Sequence, residues 1–141
     1  MIHLLAAVSA LALQAAAPAW TWSLYEGDGP VVLANDVPDT ARLRATLECQ
    51  PGDGVAQLAL YGQTGEGGAA TLRSGAASAA TQAEVGRTGR LKAALRVDHP
   101  VFAAFVDSGR LTLAVAGQER SVEVPAAHMA KLRRFAELCG G

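Results

Sequence analysis

The clearest pattern in the chain is an alternation of apolar and polar side chains from Ala41 to Cys49. Leu43, Ala45, Leu47 and Cys49 fall on one side, and Arg42, Arg44, Thr46 and Glu48 on the other. That two-residue period predicts a strand with one buried face. Pro51-Gly52-Asp53-Gly54 reads as a turn, and Val55 to Tyr61 as the returning strand, with Ala56, Leu58 and Leu60 on one side. Upstream, Trp20, Trp22 and Leu24 alternate with Thr21 and Ser23. Gly27-Asp28-Gly29-Pro30 is a turn and Val31 to Ala34 a second short strand, so the pair predicts a hairpin. Asn35 to Thr40, with Pro38, predicts a loop.

The middle of the chain is the weakest in signal. Gly65-Glu66-Gly67-Gly68 reads as a loop tip, and Ala69 to Gly89 is rich in Ala, Gly, Ser and Thr with little apolar contrast. Weak strands are expected at Ala70–Arg73 and Thr81–Val85, a pair of the kind that forms a solvent-facing hairpin. Leu91, Ala93, Leu95 and Val97 then alternate with Lys92, Ala94 and Arg96 in a firmer strand. Asp98 precedes His99-Pro100 and is the expected N-cap of a short helix with Val101, Phe102, Phe105 and Val106 on its apolar stripe. Gly109 is its expected stop. Leu111, Leu113 and Val115 predict a strand, Ala116-Gly117-Gln118 a turn, and Val122 and Val124 a returning strand broken by Pro125. From Ala126 the composition favours helix, and His128, Leu132, Phe135 and Cys139 share one stripe. Met129 and Ala136 lie beside that stripe, with Lys131, Arg133, Arg134 and Glu137 mostly off it.

The N-terminus changes the picture. Leu4 to Ala17 is an Ala/Leu-rich run, shorter than a comfortable membrane span, and Ala17-Pro18-Ala19 is a small-residue cleavage signal. Residues 1–19 are therefore expected to be a signal peptide and 20–141 a single domain of an exported, periplasmic or secreted protein. The n-region, Met1-Ile2-His3, carries no lysine or arginine. Cys49 and Cys139 are the two cysteines, and both are predicted to face inward. In an oxidising compartment that points to an intramolecular disulfide, with free thiols or an intermolecular pair as the alternatives. Closing so long a loop is worth about 4–5 kcal/mol in the chain-entropy model.

With 12 Lys+Arg against 13 Asp+Glu, all after residue 19, the domain lacks the basic excess of a dedicated nucleic-acid binder. Aromatics make up only 5%, so the core must rest on Leu, Val and Ala.

Candidate chemistry is sparse. His99 and His128 are the histidines of the domain. Neither falls in a recognisable nucleophile–base pattern, and no G-x-S-x-G elbow, HExxH or CxxC is present. No metal or cofactor site is expected. Asp28, Asp36, Asp39, Asp53 and Glu26 lie in or near predicted turns, where solvation keeps carboxylates ordinary. Gly62 to Gly68 lacks the Lys-Ser/Thr ending and following helix of a phosphate loop. What remains as candidate binding surface is Arg42 and Arg44 on one strand face, Arg133-Arg134 on the last helix, and Trp20 and Trp22, which serve either as core or, if exposed, as an anchor.

Taken together, the early Trp with its Gly/Pro turn, Leu33 and Pro38, the strand ending Leu47-Glu48-Cys49 before Pro51-Gly52, and the segment from Asp98-His99-Pro100-Val101 through Ser108-Gly109, Val124-Pro125 and Phe135 to Cys139 resemble a group of small, mostly uncharacterised periplasmic proteins of Gram-negative bacteria. The resemblance covers about half of the mature chain. It implies an exported β-rich domain with its first and last cysteines bridged, and no catalytic residues.

The expected fold is α+β and β-rich: an antiparallel sandwich or open barrel of about seven to nine strands closed by a C-terminal helix. The expected function is a non-catalytic binding or accessory protein for an envelope protein or polymer, working as a monomer. The alternatives are a small inhibitor of an envelope-active hydrolase, of the lysozyme-inhibitor kind, presenting Asn35–Thr40 or Gly62–Gly68, and a hydrolase using His99 or His128 beside a buried acid.

Overall fold

A computed structural model describes residues 19–62 and 65–140. Most of the expected signal peptide, residues 1–18, lies outside them, as do 63–64 in the expected loop and residue 141.

Nine strands form one antiparallel sheet curled into a half-barrel. They are β1 (Thr21–Tyr25), β2 (Val31–Asp36), β3 (Leu43–Cys49), β4 (Val55–Leu60), β5 (Gly68–Ser74), β6 (Ala77–Val85), β7 (Leu91–Arg96), β8 (Arg110–Val115) and β9 (Gln118–Glu123). Their order across the sheet is β1-β2-β3-β4-β7-β6-β5-β8-β9, so β1 and β9 are the edges. Two helices complete the chain, α1 (Pro100–Ser108) and α2 (Met129–Gly140), the latter entered through a 3-10 turn at Ala126–His128.

Strand alternation puts small residues on the inner face: Ala45, Ala56, Ala70, Ala83 and Ala93 are all buried among the leucines. Small side chains let the sheet curl tightly, and the helices fill the space left over. Phe102 and Phe105 of α1 and Phe135 of α2 are all buried, and these are all the phenylalanines of the chain. α1 packs on β5, β6 and β8, and α2 on β1, β2 and β4. Burial of each such ring is worth about 1.5–3 kcal/mol.

Cys49 and Cys139 are joined, with Cα atoms 5.8 Å apart, pinning the end of α2 to the end of β3. The same corner satisfies carbonyls that a helix C-terminus leaves open. Gly52 N–H donates to the Leu138 carbonyl and Gly54 N–H to the Cys139 carbonyl, both at 3.0 Å.

Three local expectations need correction. α1 is capped by His99, not Asp98: the ring Nδ1 accepts the Val101 N–H at 3.1 Å. Pro100 opens the helix, and a residue before proline is held in extended backbone, which is the cap conformation; His99 has ψ 143. Asp98 instead forms a two-pronged pair with Arg96, at 2.9 and 2.6 Å. The 68–85 hairpin is present, but its strands are longer than expected, Gly68–Ser74 and Ala77–Val85, and one side packs on the core through Ala77, Ala79 and Ala83 instead of facing solvent. β2 continues through Asn35 and Asp36, which had been expected in a loop.

Candidate functional site

A side-chain bond links the two edge strands at a seam. The indole N–H of Trp22 in β1 donates to the carbonyl of Glu123 in β9 at 3.0 Å. Beside it, Lys131 of α2 donates to the Trp22 carbonyl at 2.6 Å, covering the outer edge of β1. Trp22 is 3% exposed, so of the paired expectations for the tryptophans the core reading holds for this one.

A cleft of about 550 Å³ opens next to the seam, between β9 and the wall made by β1 to β4. Trp22, Ala45, Leu60 and Val122 give it an apolar floor. Asn35, Arg44 and Tyr61 stand on one wall, and Arg120 and Ser121 on the other. Leu113 of β8 lies opposite Arg120, and Leu111 opposite Val122. Arg120 and Val122 therefore share the inner face, and Arg120 is half-buried there with its head group bonded to the exposed Gln118.

The cleft's charges are unevenly matched. Glu119 is paired with Arg73, and Glu123 with Arg110 at 3.8 Å, both on the outer face of the sheet. Arg120 donates to the Gln118 side chain at 2.9 Å. Among the described residues, neither Arg44 nor Arg120 has a carboxylate within ion-pair distance.

Trp20, Arg42 and Arg44 come together. The Arg44 guanidinium lies 4.0 Å from the centroid of the half-buried Trp20 ring and that of Arg42 5.5 Å from it. Such stacking uses the flat face of a guanidinium and leaves its in-plane N–H groups free. Tyr61 contacts Thr46 through their hydroxyls at 3.3 Å and has Arg90 6.0 Å over its ring. The residues singled out from sequence thus fall in two places: Trp22 and Arg44 line the cleft, while Trp20 and Arg42 stand outside it, Trp20 in contact with both arginines. Arg133 is exposed on α2, and Arg134 pairs with Glu26 at 3.0 Å.

Arg120, Tyr61 and Asn35 were not foreseen as site residues. A signal for Arg120 existed, since counting back two from Val122 along the same strand face reaches it.

The remaining titratable groups lie elsewhere. His99 is occupied as a helix cap. His128 approaches the Thr21 hydroxyl through Nε2 at 3.5 Å, and its Nδ1 is buried with no hydrogen-bond partner. Asp36, expected to be solvated, is 4% exposed on the convex face and accepts from Ser23 at 2.9 Å and from Tyr25 at 2.5 Å. Accepting Tyr25's proton in that bond, the Asp36 carboxylate holds the phenol above its usual range. Asp98 is held below the usual carboxylate range by its bond to Arg96.

Among the described residues, no three of His, Cys, Asp and Glu gather as metal ligands, and no helix is long and apolar enough to cross a membrane. In comparisons with known proteins, no family model, no curated protein and no solved structure matches the chain.

Proposed function

We propose that this chain is an exported, non-catalytic binding protein, built as an open barrel whose unfilled sector between β9 and the β1–β4 wall is the ligand site. The observation that carries the reading is the pairing of an apolar floor, Trp22, Leu60 and Val122, with guanidinium groups that have no described carboxylate partner. Arg120 is half-buried and Arg44 exposed, and desolvating a guanidinium without an anion costs free energy that a bound anion would offset. Neither His99 nor His128 lines the cleft, which removes both histidines that a hydrolase reading would have used there. The Cys49–Cys139 bridge and the Ala17-Pro18-Ala19 signal support an oxidising compartment.

The test is a fragment screen read by amide and indole chemical shifts of the protein purified from a bacterial periplasm. Hits should move the Trp22 indole N–H, Asn35 and the amides of β9 together. Shifts concentrated elsewhere, for example on the β5–β6 hairpin, would sink the cleft as the site. A mass beginning at Trp20, with no alkylation before reduction, is the expected mark of export.

One observation favours a second reading, inhibition of an envelope-active hydrolase. The exposed 37–40 turn is tied down: Thr40 N–H and hydroxyl both donate to the Val37 carbonyl, at 3.2 and 2.6 Å. A stoichiometric inhibition assay against a lysozyme, with Asp39→Ala as the variant, tests it.

A further inference from the structure

We infer that the cleft is an oxyanion clamp: Arg44 and Arg120, from its two walls, close on the carboxylate or phosphate group of a small organic acid whose apolar body lies on Trp22, Leu60 and Val122. This rests on the binding reading above and names the ligand class.

The two arginines are prepared differently. The Arg44 guanidinium carbon sits 4.0 Å from the centroid of the Trp20 ring, a cation–π contact that restrains the side chain before any ligand arrives, and its N–H groups have no described side-chain acceptor. Trp20 is thus a positioning residue. Arg120 projects from the inner face of β9 with a single described side-chain bond, to Gln118, and guanidinium carries five donors. Glu119 and Glu123, which also border the cleft, are each engaged by an arginine on the outer face, so they leave the cationic side uncancelled. An anion entering between the forks gains charge-assisted, bidentate hydrogen bonds in a partly desolvated space. A cleft of about 550 Å³ takes a head group and a short chain or single ring.

An inward charge on an edge strand has a second use, blocking strand-to-strand association between copies. The two roles separate experimentally.

The experiment is calorimetric titration with three probes: octanoate, octyl phosphate and neutral octanamide. Both anions should bind, the better one identifying carboxylate or phosphate as the natural head group, and octanamide should bind at least tenfold more weakly. Arg44→Gln and Arg120→Gln should each weaken anion binding tenfold or more. Arg120→Lys keeps the charge without the fork and should fall between, which covers a glutamine variant that fails to fold. Trp20→Ala should weaken binding several-fold and Trp20→Phe restore it, a rescue that a purely structural Trp20 would not show. Arg133→Gln, on the far helix, should match the wild type. Equal binding of octanamide overturns the clamp. So does unchanged affinity in Arg120→Gln, above all if that variant self-associates on gel filtration, which would make Arg120 an edge guard. Should fragments map to the cleft while neither anion binds, the clamp falls and the binding site stands; should nothing map there, both fall.

Discussion

Replacing Cys49 and Cys139 together by alanine removes a cross-link between residues 90 apart in sequence. In the chain-entropy model the open loop adds about 15 cal/mol/K to the denatured state, or about 4.6 kcal/mol at 25 °C. Native-state losses add to this, because both cysteines are buried and alanine leaves their sulfur volume empty. The expected destabilisation is therefore at least about 4–5 kcal/mol. For about 120 ordered residues the unfolding entropy is near 0.25 kcal/mol/K, so the midpoint should fall by at least about 18 °C. Guanidinium denaturation of oxidised wild type and variant gives the free energy and the m-value, and m should rise as the open chain exposes more surface. Amide exchange adds a local reading. The Gly52 and Gly54 amides, bonded to the last carbonyls of α2, should lose more protection than the β7 amides at the centre of the sheet. A loss under about 1 kcal/mol with an unchanged m-value would refute the reasoning, since it would mean the bridge does not restrict the denatured ensemble.

Gly109 has φ +76, and an added Cβ would stand 2.4 Å from the Val124 carbonyl oxygen and 2.8 Å from the Met129 sulfur; Gly75 has φ +57 with nothing near. Gly109→Ala should therefore cost about 2–4 kcal/mol in denaturation and Gly75→Ala only about 1–2, the difference measuring the clash. Trp22→Phe keeps a ring in the seam but loses the bond to Glu123, an expected loss of about 1–2 kcal/mol by thermal melting. Phe135→Ala, at the centre of α2's buried face, should cost about 3–5 kcal/mol. Tyr25 should ionise later than free tyrosine in an ultraviolet titration, and Asp36→Asn should return it toward the normal range. Because the folded value is the raised one, its contribution to stability is complete below about pH 10 and is lost as pH climbs through the folded value.

Legibility followed contrast in the sequence. Leu91–Arg96 and Leu43–Cys49 were readable because leucines alternate with charges, and burial follows that alternation in β7. The 68–85 hairpin was faint because its inward positions are mostly alanine and most of its outward ones, Arg73 and Glu84 apart, are Ser, Ala, Thr and Gln, which hydropathy barely separates from alanine. The helix stripe of Leu132, Phe135 and Cys139 was visible from spacing alone. The cap was misplaced by one residue because aspartate is the commoner cap, while the backbone restriction imposed by Pro100 decided the matter. Trp20, Trp22, Arg42 and Arg44 were noticed by residue type. That Trp22 and Arg44 share a wall with Tyr61, opposite Arg120, depends on strand order, which no local pattern encodes.

That strand order bears on how the chain is made. The segment β1 to β4 is a simple meander, in which each strand's partner precedes it in the chain and is already made when it emerges. β4 is then left with an open, apolar edge, Val55–Leu60, because its other neighbour is β7. The β5–β6 hairpin is synthesised in between. During vectorial synthesis or translocation β4 waits unguarded until Leu91–Arg96 arrives, which makes it the strand most open to mispairing with another copy. A holding chaperone acting on the nascent chain should therefore recognise β4, and a charged residue at Gln57 or Val55 on its outward side should raise the yield of folded protein without touching the core.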